Sequence, residues 1–261
     1  MTGNTAEESD DAFVPPVELM FDGTTSVEDY RAIGFGFTNE YIIKRGRLKP
    51  DERVLDLGSG IGQKARVLKD WLNASGSYEG LDIVPTGVEW CRTAYADIPN
   101  FRFTLEDHLY SSHYNPTGLV KARDYSLPYE DEDFDMVFLA SVFTHLLPDE
   151  FARYISEISR VLKPNGRCVA SAFLMNPETI NCVRASKAHI PFVEIDDRHW
   201  VWDTANPSKA VALSESYCRS TMQANNLWPC EVSYGFWSGQ PDLLQAYQDC
   251  MIALKVQHAA A

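Results

Sequence analysis

Short apolar runs alternate along this chain with apolar residues at helical spacing. The runs R-V-L-D-L at 53–57, Y-E-G-L-D-I at 78–83, F-R-F-T-L at 101–105 and F-D-M-V-F-L at 134–139 have the length and the aliphatic or aromatic content of strands. Between and after them the apolar period becomes that of a helix. Ala65, Leu68, Trp71 and Leu72 share a face across 63–72, with Lys64, Arg66, Lys69 and Asp70 opposite, and 88–95 reads as a second helix. Phe151, Tyr154, Ile155, Ile158, Val161 and Leu162 line one side of a third, which Pro164 stops. A fifth strand is predicted over 167–174, a helix over 214–225, and a closing pair of strands over 231–237 and 250–256, with a loop through Pro241 between them. Strand and helix in alternation predict an α/β fold.

The first strand runs directly into closely spaced glycines, Gly58, Gly60 and Gly62. Such glycines let the backbone turn sharply and let a ligand approach the main chain with no Cβ in the way. The second strand carries Asp82, about 20 residues beyond the turn, where a carboxylate accepts both hydroxyls of a ribose. The unit predicts an adenosine-containing cofactor. A dinucleotide turn reads G-x-G-x-x-G and holds a pyrophosphate at a helix N-terminus. Here Asp56 stands two residues before the first glycine, where it would repel a pyrophosphate and suit the ammonium of an amino acid, so a zwitterionic ligand is expected.

D-L-G-S-G-I-G at 56–62 closely resembles motif I of the class I S-adenosylmethionine-dependent methyltransferases, and the resemblance continues in order along the chain. Y-E-G-L-D-I-V-P at 78–85 looks like that family's second strand and ribose-binding acid. F-D-M-V-F-L-A-S-V-F-T-H-L at 134–146 looks like its fourth strand and following loop, and R-V-L-K-P-N-G-R at 160–167 like the turn into its fifth. The landmarks cover 48–174, and four in sequence are far more specific than one glycine motif. The resemblance implies a Rossmann-like fold: a mostly parallel seven-stranded sheet with an antiparallel C-terminal strand and helices on both faces. It implies S-adenosyl-L-methionine as the cofactor.

Residue by residue, the resemblance implies that Asp56, Gly58, Ser59 and Gly60 hold the amino-acid end of the cofactor and that Asp82, followed by Ile83, holds the ribose. An acid just past the third strand would accept from the adenine amino group, a role that falls to Asp107, beside His108. The family passes quickly from that acid to an L-P-F segment. Here 108–123 intervenes, with a turn at N-P-T-G, and Asp124 before Y-S-L-P-Y stands as a rival. Ligands of open α/β sheets bind beyond the carboxyl ends of the strands, which places Ala140, Ser141, Thr144 and His145 where the methyl group meets its acceptor. His145 is the candidate catalytic base, its other role being to tie down a loop. The segment 14–47 is expected as a helical cap interrupted near Gly34 and Gly36, with Tyr30 and Phe37 either facing the site or packed on the core. The aperiodic, aromatic-rich stretch 176–212 is expected as an acceptor cap within a catalytic domain spanning 48–257.

Composition narrows the partners. With 37 acidic against 23 basic residues the formal charge is -14, which opposes a nucleic-acid backbone. The 6 cysteines show no C-x-x-C pair or zinc spacing, so no metal is expected. No apolar run has the length of a membrane span, and the acidic start at 1–13, expected to be disordered, is unlike a secretory signal, so a cytoplasmic protein is anticipated. The expected function is O-methylation of a small-molecule acceptor, natural-product or sugar-like, by direct in-line transfer. N-, C- or S-methylation, a non-catalytic adenosylmethionine-binding protein and an NAD-dependent oxidoreductase are the alternatives. A homodimer remains open.

Overall fold

The computed structural model describes residues 12–21, 23–240 and 246–256, so residues 1–11 of the acidic tail lie outside the described part. Among the described residues, eleven strands form two sheets. The larger has seven strands in the order β10-β11-β5-β4-β1-β2-β3: β1 (Arg53–Leu57), β2 (Ser77–Asp82), β3 (Phe101–Leu105), β4 (Phe134–Leu139), β5 (Leu162–Ala172), β10 (Leu227–Ser233) and β11 (Asp249–Lys255). β11 runs antiparallel to both β5 and β10, and the observed pairings β1–β2, β2–β3 and β4–β5 are parallel. This is the Rossmann-like sheet the sequence predicts. The chain divides into two compact units, one ending at Asp107 and the other beginning at His108.

In the first unit, helix α1 (Val27–Phe37) starts at Ser26, whose hydroxyl caps Asp29 N–H, and passes into a π-helix, Thr38–Arg45. Gly34 does not interrupt α1. A Cβ there would lie 2.6 Å from the Gln63 carbonyl oxygen, so the glycine is needed for close packing rather than for a break. Helix α2 (Ala65–Leu68) is shorter than the 63–72 expected. Its last turn tightens, with Asp70 and Trp71 N–H donating three residues back, and Trp71 is 37% exposed instead of buried. Helix α3 (Pro85–Ala94) follows β2, and Phe13 packs on Tyr95 with ring centroids 4.9 Å apart.

In the second unit, helix α4 (Pro148–Val161) is amphipathic as expected, with the Glu150 carboxylate accepting from Leu147 N–H at its start. It ends three residues before Pro164, because β5 begins directly at Leu162. Glu157 of α4 accepts from Leu127 N–H, and Arg160 donates to the Leu127 and Tyr129 carbonyls, which pins the L-P-Y segment. The stretch expected to be aperiodic contains α5 (Pro177–Arg184) and most of a small sheet, β6-β9-β8-β7, built from Leu174–Met175, Val211–Ser214, His199–Val201 and Val193–Glu194. Its core is Phe173, Met175, Phe192, Trp200 and Trp237. Helix α6 (Glu215–Ala224), capped by Ser214, precedes β10. Among the described residues no helix is long and apolar enough to cross a membrane.

Candidate functional site

The turn after β1 folds as its glycines demand: Gly58, Gly60 and Gly62 have φ of 83°, 56° and 79°, in the region that L side chains disfavour. Gly58 and Ser59 N–H both donate to the Leu81 carbonyl of β2, at 2.8 and 3.1 Å. Gly60 N–H donates to Asp82 Oδ2 at 2.7 Å, and Val84 N–H to Oδ1 at 2.8 Å. Four of the expected residues, Gly58, Ser59, Gly60 and Asp82, are thus one hydrogen-bonded assembly. Because those amides bond within the chain, what the glycines offer a ligand is a surface without Cβ atoms. A carboxylate has about four acceptor positions, so the Asp82 carboxylate can hold the turn and still take hydroxyl donors. Ile83, next in the chain, is half-buried.

Asp56 lies beneath this turn, fully buried. Tyr78 Oη donates to its Oδ2 at 2.7 Å, while Oδ1 has no partner. Burial pushes its carboxyl up to about 7, against the pull of the Lys64 charge and the Tyr78 bond. Ser59 Oγ is also buried without a partner. An unused acceptor under a turn stripped of Cβ atoms, with a ribose-type acid at its rim, fits a nucleoside carrying an α-amino acid. Tyr30 is fully buried and donates to the Ile61 carbonyl at 3.0 Å, so its hydroxyl braces the turn; Phe37 packs on Tyr41.

At the end of β3 the adjacent acids differ. Glu106 is buried, with its N–H donating to the Asp82 carbonyl at 2.9 Å, whereas Asp107 is exposed. His108 is exposed, and Asp124 is 68% exposed beside Arg123. A buried Glu106 is a residue that sequence reasoning passed over; its place one step nearer the strand end was the available signal.

In the second unit β4 ends at Leu139 and Ala140 is half-buried after it. Ser141 takes φ 64°, an unusual conformation for a non-glycine residue, and donates its N–H to Ser171 Oγ at 2.7 Å. Ser141 and Ser171 hydroxyls both donate to Gln248 Oε1. His145 closes a single helical turn, Phe143–His145. Its Nδ1 lies 3.0 Å from the Ser208 carbonyl oxygen, which can only accept, so Nδ1 carries the proton and Nε2 the lone pair of the neutral ring. Burial lowers its pKa, helped by neighbouring His113 and opposed by the bond to Ser208. His113 stacks parallel to the ring at 6.4 Å and Tyr114 meets it edge-on at 5.4 Å. Both come from the inserted 108–123 segment, whose Ser112 donates to Asn206 Oδ1. The N-P-T-G turn forms as expected, Gly118 N–H donating to the Asn115 carbonyl.

The family model described as a methyltransferase domain matches residues 55–170. A phthiotriol/phenolphthiotriol dimycocerosates methyltransferase of Mycobacterium ulcerans is 31% identical over 115 residues, covering 44% of this chain and 35% of that protein. The chain therefore spans about a third of that relative's length. A ubiquinone/menaquinone biosynthesis C-methyltransferase of Geotalea daltonii is 25% identical over 162 residues, 60% of this chain and 63% of that one. In fold, the chain is similar to the PH0226 protein of Pyrococcus horikoshii, with a TM-score of 0.59 at 17% identity over 87% of this chain and 92% of the other.

Proposed function

We propose that this chain, whose residues 55–170 match a methyltransferase-domain model, is a class I S-adenosylmethionine-dependent methyltransferase that methylates a small-molecule acceptor, at a hydroxyl oxygen. The observation that carries the reading is the glycine turn locked to Asp82 with the acceptor Oδ1 of Asp56 left unused beneath it. Bound there, S-adenosylmethionine supplies an electrophilic methyl on a sulfonium that departs as a neutral thioether. Asp82 takes the ribose hydroxyls and Asp56 the ammonium. Either Asp107 or Asp124 takes the adenine amino group, and alanine at the one that does so lowers cofactor affinity while alanine at the other leaves it unchanged. His145 accepts the hydroxyl proton at Nε2 as the acceptor oxygen gains the methyl. Its lowered pKa keeps that nitrogen unprotonated at neutral pH.

A second reading, transfer to carbon, is supported by the quinone-biosynthesis relative, whose name assigns it C-methylation. The experiment is methyl transfer from methyl-labelled S-adenosylmethionine to a panel of phenols, sugar alcohols, activated carbon acids and amines, with products read by mass spectrometry. Label on oxygen supports the first reading and label on carbon the second. A chain that binds no S-adenosylhomocysteine in calorimetry and labels no acceptor overturns both.

A further inference from the structure

In the second unit, polar side chains from three strand ends converge. Ser141 follows β4 by two residues, Ser171 is the penultimate residue of β5, and Gln248 immediately precedes β11. β11 runs antiparallel to β5 and starts, at Asp249, opposite Ala172, so Gln248 lies at the carboxyl edge of the sheet, where open α/β folds bind ligands. Ser141 N–H donates to Ser171 Oγ at 2.7 Å, and the Ser171 and Ser141 hydroxyls donate to Gln248 Oε1 at 2.6 and 3.1 Å. Because the Ser171 oxygen already accepts from a backbone N–H, its own proton is what it has left to give, and the oxygen of the Gln248 amide receives it. The network therefore fixes which way that amide faces.

With Oε1 held by both serines, Nε2 is turned away from them. It has no partner among the described residues, and in this half-buried side chain it keeps contact with solvent. Ser141 holds a left-handed backbone, φ 64°, while it takes part, and strain of that kind in a non-glycine residue clusters at sites that bind or react. The same loop carries His145: Thr144 Oγ1 donates to the Ser141 carbonyl at 2.8 Å and His145 N–H to the Val142 carbonyl at 2.9 Å. Next to Gln248 in the chain, Tyr247 is 38% exposed and meets the Phe236 ring, itself 40% exposed, with centroids 5.2 Å apart. An oriented amide donor thus adjoins a half-exposed aromatic face. Nε2 can only donate and a carbonyl oxygen can only accept, a pairing more selective than one with a hydroxyl, which does both.

We infer that Gln248 is a specificity-determining residue of the acceptor site, its Nε2–H donating to a carbonyl oxygen of a hydroxyaryl acceptor whose ring lies against Tyr247. The inference rests on the reading above of His145 as base for a hydroxyl acceptor, and narrows that acceptor to one chemical class. Ser141 and Ser171 are positioning residues that hold the amide with its donor outward.

The test is methyl transfer by the full chain from S-adenosylmethionine to the isomeric hydroxyacetophenones and to the matching ethylphenols, in which a methylene replaces the carbonyl. The wild type should favour a ketone over its ethylphenol in kcat/KM. Gln248→Glu keeps an oxygen for both serines but puts an acceptor where the donor was, and the ratio of the two kcat/KM values should fall about tenfold or more. Gln248→Met, which brings no charge, should lower the same ratio and carries the test if the glutamate variant does not fold. Ser171→Ala, which frees the amide to turn, should lower it about threefold. An unchanged ratio in the Gln248 variants would make the residue a structural brace, whatever happens to the absolute rates. A wild type that binds S-adenosylhomocysteine yet methylates no ketone, or shows no preference for one, would overturn the inference and leave the cofactor reading intact. A wild type that binds no S-adenosylhomocysteine and methylates nothing would overturn the proposed function, and this inference with it.

Discussion

Two buried carboxylates, one in each unit, meet burial in different ways. Asp249, at the start of β11, accepts from Gly235 N–H and Leu174 N–H at 2.7 Å each and from Trp237 Nε1 at 2.9 Å. Asp56, under the glycine turn, accepts from one hydroxyl and leaves an oxygen unused. Burial pushes both carboxyls up to about 7. Desolvation alone therefore does not mark a functional group. What separates the two is completeness: Asp249 has its donors within its own unit and organises a hairpin, the small-sheet edge and a buried tryptophan, whereas Asp56 still has capacity for a donor that the protein does not provide.

The largest effect that would break this contrast belongs to Asp249. Asp249→Ala leaves two backbone N–H groups and the Trp237 indole N–H without their acceptor and should cost about 3 kcal/mol or more of stability in urea titrations. The fraction that folds should bind S-adenosylhomocysteine normally; a loss of affinity there would make Asp249 part of the site. Asp82→Ala comes next. It removes the anchor of Gly60 and, on the proposed reading, the ribose acceptor, and cofactor affinity should fall by about 2–3 kcal/mol. Unchanged affinity would take Asp82 out of the site.

Asp56→Asn sharpens the contrast further, with a smaller expected loss of cofactor affinity, about 1–2 kcal/mol. Its sign in stability is opposite to that of Asp249→Ala. A carboxyl whose pKa is raised on folding, from 3.8 to about 7, makes the native state bind more protons than the unfolded chain within that window. Its stability contribution therefore falls as pH rises towards 7. The uncharged variant should gain on the wild type from acid to neutral pH in the absence of ligand, and a constant difference would refute the raised pKa. On the proposed reading cofactor binding places an ammonium beside Asp56 and should release a proton near pH 7, visible as a binding enthalpy that depends on the buffer.

The smallest effect concerns His145. A histidine whose pKa is lowered stays neutral below the usual 6.5, so the acid limb of turnover should lie under that value. His145→Gln should lower turnover and leave S-adenosylhomocysteine affinity unchanged. Equal loss of both would assign the residue to loop structure, through its bond to Ser208.

The same distinction explains what the sequence made legible. The turn and its acid were readable because glycines at positive φ and a strand-end carboxylate are local requirements, and the sheet followed because its strands are separate apolar runs. The small sheet was not. Its strands are two to four residues long, and those of β8 and β9 are buried throughout, so no alternation distinguishes them. The start of β5 was hidden by L-K-P-N-G, which reads as a turn; Asn165 takes φ 63° there, and pairing with β4 shifts register. Gly34 looked like a helix breaker because its partner, Gln63, is 29 positions away in the chain. The unpaired buried atoms of Thr38 and Gln63 gave no signal either, since whether a polar side chain is satisfied depends on tertiary neighbours.

The position of Asp56 under the turn has a kinetic consequence on the proposed reading. There it addresses the end of the cofactor that methyl transfer leaves unaltered. It would hold the spent thioether as well as the fresh sulfonium, and such uniform binding lowers the concentration needed for saturation without speeding the chemical step. The enzyme should then be strongly product-inhibited, its output governed by the ratio of the two forms of the cofactor and by whatever reaction hydrolyses S-adenosylhomocysteine nearby.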